Sequence, residues 1–174
     1  MNELKNYVRN IHDFPKEGIV FRDITTLLKN PAAYHSAVNQ IMEKFKDNKI
    51  DKVVGIESRG FILGAALAYN LGVGFVPIRK PKKLPAETIR EEYQLEYGTD
   101  AIEIHKDAIV PAENILLHDD LLATGGTINA ACNLIEKLGG KIAGISFLIE
   151  LSFLNGRKLL DKYDVHSLIS YDSE

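Results

Sequence analysis

ILLHDDLLATGGT, at residues 115–127, is the stretch around which the rest of the chain is arranged. It begins with three apolar residues, a run long enough for a buried strand and too short for a helix. Two adjacent carboxylates, Asp119 and Asp120, follow, and the stretch ends in small residues around a glycine pair. Apolar residues then recur at helical spacing as far as Leu138, where a second glycine pair follows. This order predicts a strand, an acidic turn, a glycine loop and a helix.

The glycine loop has the chemistry of a phosphate site. Gly125 and Gly126 allow the backbone to approach a ligand closely and to take up positive φ. A helix that starts directly after them presents unpaired N–H groups and the positive end of its dipole to an anion. The hydroxyls of Thr124 and Thr127 add two donors. We therefore predict that the phosphate loop, Ala123 to Thr127, binds a phosphate group.

The two aspartates need a different partner, because Asp119 and Asp120 would repel a phosphate. Carboxylates suit sugar hydroxyls, a Mg²⁺ ion or a developing positive charge. A ligand with a phosphate at one end and a ribose diol beside it satisfies both halves of the stretch. The alternative is that the acids only shape a turn and that the glycine pair only starts a helix.

Strands and helices alternate along the remainder of the chain. Strands are predicted at residues 53–56, 75–78, 102–105, 142–151 and 165–171. Helices are predicted at residues 1–12, 31–46, 61–71 and 154–163, with Asn30 as the N-cap of the second, Pro31 as its first residue and Gly72 closing the third. This alternation is typical of a parallel α/β sheet, in which ligands bind beyond the carboxyl ends of the strands. The turns at residues 57–60 and 119–127 both lie at such ends.

The lid segment, residues 81–99, shows no clear period and contains two prolines and several charged residues. An irregular segment of this length inside a compact domain is usually a functional lid or disordered. We interpret it as a lid over the predicted site. The alternative is a flexible surface loop.

The composition of the 174-residue chain is that of one globular domain, with 45% hydrophobic and 26% charged residues. The net charge of −3 argues against an electrostatic nucleic-acid binder. The single cysteine, Cys132, rules out an internal disulfide. No apolar run is long enough to span a membrane, and the N-terminus lacks a signal-peptide pattern. The sequence therefore predicts a cytoplasmic protein that binds neither nucleic acid nor membranes.

The histidines do not predict a metal centre. The five of them show no metal-ligand spacing and have no cysteine partner. His118 is unusual because it interrupts the apolar strand next to Asp119. We interpret it as a strand histidine bonded to a neighbour rather than as a catalytic base.

Five motifs along nearly the whole chain resemble the adenine phosphoribosyltransferases, a branch of the type I phosphoribosyltransferases. They are FPKEGIVFRDIT at 14–25, GIESRGF at 55–61, IRKPKKLP at 78–85, LEYGTDAIEI at 95–104 and DDLLATGGT at 119–127. The resemblance implies one domain over residues 1–174, with the type I phosphoribosyltransferase fold. That fold is a mostly parallel central sheet flanked by helices, with a small N-terminal hood, here residues 1–30.

The resemblance also implies an activity. Members of the family join adenine to phosphoribosyl pyrophosphate and release AMP and pyrophosphate. They use Mg²⁺, which we expect to be held mainly by substrate oxygens. Family members are usually homodimers, so the same is expected of this chain.

Roles for the catalytic carboxylates follow from the resemblance. Asp119 and Asp120 would face the ribose diol and support the positive charge that builds on the sugar. Glu96 would handle the base, and its neighbour Tyr97 would contact substrate. Glu103 is the competing candidate for the base, but strand alternation places it among ordinary surface residues.

The binding residues are assigned in the same way. Arg59, in the pyrophosphate turn at residues 57–60, would bind pyrophosphate, and the family has a non-proline cis peptide at the position between Glu57 and Ser58. Arg79 and Lys83 would make further pyrophosphate contacts. The alternative for this turn is a helix N-terminus with a surface arginine.

Adenine would be bound by the N-terminal segment. Phe21 and Leu121 would form the two walls of the base slot. Main-chain groups of Val20 and Arg22 would bind the adenine edge. The alternative is that residues 19–21 merely cap the core.

Two other functions are compatible with this sequence pattern. The first is a phosphoribosyltransferase for another purine base, such as hypoxanthine or xanthine. The second is a regulator that senses phosphoribosyl pyrophosphate without catalysis. Such a regulator needs a DNA-binding domain, and the 174 residues leave no room for one beside the predicted domain.

Overall fold

The computed structural model describes residues 3–94 and 98–174, which form nine strands, four α-helices and three 3₁₀ helices. The strands are β1 Arg9–His12, β2 Val20–Asp23, β3 Lys52–Ile56, β4 Gly74–Ile78, β5 Thr88–Gln94, β6 Thr99–His105, β7 Asn114–Leu122, β8 Lys141–Leu151 and β9 Val165–Tyr171. The α-helices are α1 Thr25–Leu28, α2 Pro31–Lys44, α3 Gly60–Leu71 and α4 Gly126–Lys137. The 3₁₀ helices are Glu3–Tyr7, Ser152–Leu154 and Gly156–Leu160.

Five strands form a parallel central sheet in the order β4-β3-β7-β8-β9. This confirms the predicted α/β class with a parallel sheet flanked by helices. The strand that carries Asp119 and Asp120, β7, lies in the middle of the sheet, where β3 and β8 cover both of its edges. The predicted site therefore stands on the most enclosed strand of the fold.

The core lies on both faces of the sheet, because side chains of β7 alternate between them. Leu116 packs with one cluster of buried residues, to which α2 and α3 contribute Ile41 and Leu63. Ile115 and Leu117 pack with the opposite cluster, which includes residues of α4 and β6. The central strand β7 thus carries apolar residues on two buried faces, as expected for a parallel sheet.

The predicted ends of two helices are confirmed in detail. The side chain of Asn30 accepts a hydrogen bond from the Ala33 N–H at 3.0 Å and caps α2, with Pro31 at the first helical position. Helix α3 ends at Gly72, whose φ of +68° is left-handed. Local capping chemistry was therefore sufficient to place these boundaries.

Part of the lid segment is regular, contrary to the prediction. Residues 88–94 form β5, which pairs antiparallel with β6 in a separate two-stranded sheet. The partly buried residues of β5 are Thr88, Ile89, Glu91 and Tyr93, and from Ile89 onward they alternate with exposed ones. The alternation was hidden because Glu91 is charged. Its carboxylate accepts a hydrogen bond from Asn133 at 3.0 Å and pairs with Lys137, both on α4.

Two other predicted helices are wrong. Residues 154–163 contain parts of two short 3₁₀ helices, interrupted at Asn155, which has a left-handed φ of +56°. Within the predicted N-terminal helix, a 3₁₀ helix ends at Tyr7 and β1 follows. At the N-terminus the pairing of β1 with β2 outweighs the weak helical signal, and at residues 154–163 the left-handed Asn155 interrupts the helical run.

β1 and β2 form a separate antiparallel pair beside the carboxyl edge of the sheet, with Ile11 opposite Phe21. Within residues 3–94 and 98–174, no helix combines the length and the apolar character that crossing a bilayer requires.

Candidate active site

The phosphate loop joins the central strand to α4. Gly125, with a left-handed φ of +86°, is the N-cap residue of α4, which begins at Gly126. The loop and its flanking residues enclose a cavity of about 70 Å³. The first N–H groups of α4 have no partner within the helix, and they lie at this cavity. The geometry is that of a small anion site, as the glycine loop predicts.

Asp119 and Asp120 belong to β7 itself, which corrects the predicted acidic turn. Strand pairing continues through them, because Asp119 lies opposite Phe147 of β8. Asp120 is only 5% exposed, and Asp119 borders a cavity at the end of the sheet. The carboxylates are therefore held rigidly by the sheet, and burial gives them unusual electrostatics.

Burial raises the pKa of Asp119 well above its ordinary value, and the negative charge of Asp120 raises it further. Burial also raises the pKa of Asp120, against the opposing pull of the Arg59 guanidinium. Two enclosed carboxylates side by side cannot both ionise cheaply. The pair is therefore suited to a partner that brings positive charge or hydroxyl donors into the cavity.

The cavity that Asp119 borders has a volume of about 260 Å³, and residues from three parts of the chain line it. Its lining residues are Ile56, Glu57, Arg59, Lys80, Tyr93, Ile102, Asp119, Asp120, Leu121, Ala123 and Thr127. Among the predicted site residues, Arg59, Asp119, Asp120, Leu121, Ala123 and Thr127 meet here. The ends of β3, β4 and β7 converge on it, as expected at the carboxyl edge of a parallel sheet.

Arg59 lies against the aspartates rather than free in the cavity. Its Nε is 2.8 Å from Asp120 Oδ2, and its guanidinium carbon is 5.4 Å from the centre of the Phe21 ring. The peptide between Glu57 and Ser58 is cis, as the family resemblance implies. Arg59 therefore links the pyrophosphate turn, the aspartate pair and the predicted base slot.

Glu57 organises the cationic side of the cavity. Its Oε2 accepts hydrogen bonds from Arg79 Nε at 2.9 Å and from the Lys80 N–H at 3.0 Å. Arg79 also donates to the Lys83 carbonyl at 3.3 Å, while the Lys83 side chain is exposed and does not line the cavity. Arg79 thus contacts the cavity indirectly, through its bond to Glu57, and Lys83 contacts Arg79 rather than the cavity.

Lys80 and Tyr93 are residues of the cavity that the sequence interpretation missed. Lys80 Nζ pairs with Asp100 and lies 3.1 Å from the Tyr93 hydroxyl. The Asp100 carboxylate holds the pKa of Lys80 above its usual value against the opposing effect of burial, so Lys80 is charged. A signal existed, because Lys80 directly follows Arg79 at the end of a strand.

The predicted base-binding strand, β2, has one edge that pairs with β1 and one edge that no strand in the described part of the chain covers. Val20 N–H donates to Glu174 Oε2 at 3.2 Å, so it points away from β1, and antiparallel alternation gives Arg22 the same direction. The Arg22 side chain lies 4.0 Å from the centre of the Tyr171 ring and donates to Asn10 Oδ1 at 2.8 Å. The side chain of Arg22 is therefore engaged elsewhere, and main-chain groups form this edge.

Glu96 and Tyr97 lie outside the described residues. Gln94, the last residue of β5, lies close to the phosphate loop. A Cβ atom placed on Gly126 would lie 3.2 Å from the Gln94 carbonyl oxygen and 3.4 Å from Tyr93. β5 of the lid segment therefore reaches the start of α4.

His118 is a buried strand histidine, as predicted. It is 0% exposed, and its Nδ1 lies 2.9 Å from Ser146 Oγ on the neighbouring β8. Burial lowers the pKa of His118 to about 3, so the ring is neutral at physiological pH. It does not line the cavity.

The chain is similar to known proteins over nearly its whole length. The family model described as "Phosphoribosyl transferase domain" matches residues 23–172. An adenine phosphoribosyltransferase of Koribacter versatilis is 58% identical over 98% of this chain and 94% of its own length. One from Desulfitobacterium hafniense is 57% identical over 97% of this chain and 98% of its own length.

Solved structures give the same result. The crystal structure of adenine phosphoribosyltransferase from Thermoanaerobacter pseudethanolicus has a TM-score of 0.94 at 54% identity, over 97% of this chain and 98% of that one. The Saccharomyces cerevisiae enzyme, complexed with adenine and an imino-altritol bisphosphate, has a TM-score of 0.90 at 42% identity, over 95% and 96% of the two chains. The chain belongs to the phosphoribosyltransferase family and, within it, to the adenine phosphoribosyltransferases.

Proposed function

We propose that this protein transfers the 5-phosphoribosyl group of phosphoribosyl pyrophosphate to adenine, giving AMP and pyrophosphate, a step of purine salvage. One observation carries the proposal: an anion loop, a buried aspartate pair and a cationic turn line two cavities at the carboxyl edge of the sheet, and Asp119, Ala123 and Thr127 border both cavities. A substrate with phosphates at both ends of a ribose needs these three features in this order. The high identity to adenine phosphoribosyltransferases supports adenine as the base.

The 5′-phosphate is bound by the phosphate loop. Gly125, Gly126 and Thr127 offer N–H groups at the start of α4, and the hydroxyls of Thr124 and Thr127 add donors. These donors are fixed by the helix before substrate arrives, so binding does not require them to reorganise. The loop thereby fixes one end of the sugar.

Replacing Gly126 with valine should raise KM for phosphoribosyl pyrophosphate by about 100-fold, a loss equivalent to one or two charge-assisted hydrogen bonds. The new side chain would collide with the Gln94 carbonyl and cover the approach to the loop. Steady-state kinetics measure this change. The matched control is Gly74→Val, where an added Cβ meets only Lys52 at 3.8 Å, and its KM should remain normal. An unchanged KM in Gly126→Val would mean that the glycine pair only starts the helix.

The aspartate pair stabilises the transition state. As the bond from ribose C1 to pyrophosphate breaks, positive charge builds on the sugar, and N9 of adenine then bonds to C1 and loses its proton. Asp119 and Asp120 lie at the cavity and can bind the ribose hydroxyls. The negative charge of the pair also stabilises the positive charge that develops on the sugar. The low-dielectric surroundings that raise their pKa also strengthen this interaction.

Pyrophosphate leaves toward the cationic side of the cavity. Arg59, Arg79 and Lys80 carry positive charge close to the pyrophosphate turn, and Lys83 follows on the adjoining segment. Arg59 is bound to Asp120 in the described state. Substrate phosphate can exchange for Asp120 as the partner of Arg59, which would release that carboxylate for the ribose.

Adenine occupies the slot between Phe21 and Leu121, with its edge against β2. The main-chain groups of Val20 and Arg22 that point away from β1 can donate to and accept from the Watson–Crick edge of the base. Glu174 would give up the Val20 N–H to the base. The lid segment, with Glu96 and Tyr97, would close over the base and exclude water, which would otherwise hydrolyse the activated sugar.

Mg²⁺ fits this site only as a partner of the substrate. Among residues 3–94 and 98–174 there is no group of three histidine, cysteine, aspartate or glutamate residues that could hold a metal ion. The carboxylates of Asp119 and Asp120 are oxygen donors of the kind that Mg²⁺ prefers, and this ion commonly uses one or two carboxylates together with substrate phosphates. When bound, it would neutralise phosphate charge and assist the departure of pyrophosphate.

The test of the proposed function is AMP formation from adenine and phosphoribosyl pyrophosphate in the presence of Mg²⁺. Adenine should be preferred over hypoxanthine, guanine and xanthine in the same assay. If the protein prefers another base, that base is its substrate in place of adenine. Binding of phosphoribosyl pyrophosphate without turnover of any base would favour a sensing regulator.

A homodimer is part of the proposal. Helix α3 follows the pyrophosphate turn and exposes an apolar stripe of Ile62, Ala65 and Tyr69, the last with 86% of its surface accessible. Exposed apolar residues at this spacing are typical of a covered helix face. A second copy seated there would lie next to the site.

A cytoplasmic location also belongs to the proposal, because the phosphate charges of substrate and product keep them in the compartment where they are made.

Replacing Ile62 and Tyr69 together with lysine should raise the dimer dissociation constant by about 100-fold or more, because charges would be buried at the centre of the interface. Sedimentation velocity over a concentration series measures this shift. Val110→Lys is the control, since Val110 is 58% exposed and lies outside α3. If the double variant sediments as the unmodified protein does, α3 is not the interface.

A further inference from the structure

We propose that Gly156 is a positioning residue for the phosphate loop. Gly156 is the first residue of the 3₁₀ helix Gly156–Leu160, far from residues 123–127 in sequence, and it is buried. The inference rests on the proposed function, because it assigns to a distant residue the placing of the donors that bind the 5′-phosphate.

Gly156 lies against the main chain of the loop. A Cβ atom on it would lie 2.1 Å from the Ala123 carbonyl oxygen, 2.9 Å from the Gly125 nitrogen and 2.9 Å from the Thr124 carbonyl carbon. These atoms are backbone and have no side-chain freedom with which to retreat. An alanine at this position would therefore displace the loop or the segment that carries it.

The need for glycine is one of space. Gly156 is not among the described glycines with positive φ, so its backbone conformation is open to other residues. The contact is mutual, because a Cβ on Gly125 would lie 2.5 Å from the Gly156 carbonyl oxygen. Two glycines from separate parts of the chain thus let two backbones touch directly behind the anion site.

The segment that carries Gly156 is fixed from its other side. Leu160 is 0% exposed in the core. Arg157 donates from Nε to Glu150 Oε1 at 2.9 Å and from its Nη1 to the Val165 carbonyl at 2.8 Å. The 3₁₀ helix is therefore attached to β8, which pairs with the central strand β7, and to the start of β9 at the edge of the sheet. An added methyl group would shift the phosphate loop more readily than this anchored support.

Gly156→Ala should therefore raise KM for phosphoribosyl pyrophosphate by about 10- to 100-fold, the range for misplacing one charge-assisted hydrogen bond. The dissociation constant of ribose 5-phosphate, which carries the same phosphate, should rise by a similar factor. The kcat value and the KM for adenine should stay within about threefold, because the aspartates and the base slot are not displaced. A general loss of folding would not produce this split.

The matched control is Gly140→Ala. A Cβ there would lie 2.9 Å from Ile135 Cγ2 and 3.0 Å from Ile109 Cγ2, a milder collision with two side chains that do not line the cavity. This variant should melt at a lower temperature and keep a normal KM. Equal changes in KM for the two glycine variants would overturn the proposal.

A milder variant decides the case in which Gly156→Ala does not fold. Arg157→Lys keeps the charge beside Glu150 but loses the planar fork that holds the segment, so KM for phosphoribosyl pyrophosphate should rise by about three- to tenfold. Normal ribose 5-phosphate affinity in every folded variant would overturn the proposal. A wild-type protein that makes no AMP would instead count against the proposed function, and the ribose 5-phosphate titration would still test Gly156.

Discussion

Asp119→Asn combined with Asp120→Asn is expected to abolish AMP synthesis while leaving a folded protein that melts at a higher temperature than the wild type near neutral pH. The loss of turnover follows from the proposed role of the pair in opposing positive charge on the ribose. Removing preorganised electrostatic stabilisation of this kind costs about 100- to 1000-fold for one group, so the double variant should lose at least that much.

The expected gain in stability follows from the burial of the two carboxylates. Both native pKa values lie above the ordinary 3.8, because burial disfavours the charged forms and, for Asp119, the charge of Asp120 adds to this. Asparagine has nearly the same shape and no charge, so it removes this cost with little loss of packing. For a chain of this size, each kcal/mol regained raises Tm by about 2–4 °C.

The stability difference between the double variant and the wild type should change with pH in a defined direction. Between 3.8 and the raised native pKa values, the native protein binds more protons at Asp119 and Asp120 than the unfolded chain does, so rising pH lowers its stability. The penalty is complete above the native pKa values. The Tm difference between the double variant and the wild type should therefore grow as the pH rises from 4 toward the raised native pKa values, and it should shrink toward pH 4.

Asp51 supplies a control of opposite sign. A hydrogen bond from the Asn114 N–H, with another from its side chain, lowers the pKa of Asp51. Asp51→Asn should therefore lower Tm above pH 4, and this loss should disappear as the pH falls through that lowered pKa. Calorimetry over the pH series measures both variants.

Near-normal AMP synthesis by the double aspartate variant would remove the central claim about the site.

The sequence predicted the elements in which local signals agree with tertiary packing. The cap at Asn30, the glycine end of α3 and the long apolar strand β8 are such cases. It failed where a charged residue occupies an inward position. Glu91 points toward α4 because Asn133 and Lys137 compensate it, and no periodicity of hydrophobic residues can anticipate that compensation.

The same distinction applies to the site. The phosphate loop and the aspartates are contiguous in sequence, so their chemistry was predictable together, except that β7 continues through both acids because β8 pairs with them. Other residues become part of the site only through contacts between separate parts of the chain, and these are Lys80, Tyr93 and Gly156. Their importance depends on which backbones and side chains meet in three dimensions, and local periodicity and motif spacing do not show those contacts.

Glu96→Leu is expected to lower kcat/KM for adenine by about 100- to 10,000-fold, the usual worth of positioned acid–base assistance. Adenine must lose its N9 proton as N9 attacks ribose C1. A carboxylate near N7, on the imidazole side of the ring, can stabilise the reactive tautomer or exchange a proton there. Glu96 lies in the LEYG motif, three residues before β6 begins, and the family resemblance gives this glutamate that role.

Glu103 is the natural control, because it is the nearest competing glutamate on the lid segment's partner strand. Its main chain bonds to Arg79 in both directions, at 2.7 and 3.0 Å, and its Oε2 accepts from the Lys82 N–H at 3.2 Å. Those contacts give Glu103 a structural role, and it does not line the cavity. Steady-state kinetics at saturating phosphoribosyl pyrophosphate should therefore leave kcat/KM for adenine nearly unchanged in Glu103→Leu. The assignment is wrong if Glu96→Leu keeps wild-type kcat/KM or if Glu103→Leu is the impaired variant, because the carboxylate that acts on the base would then be another one.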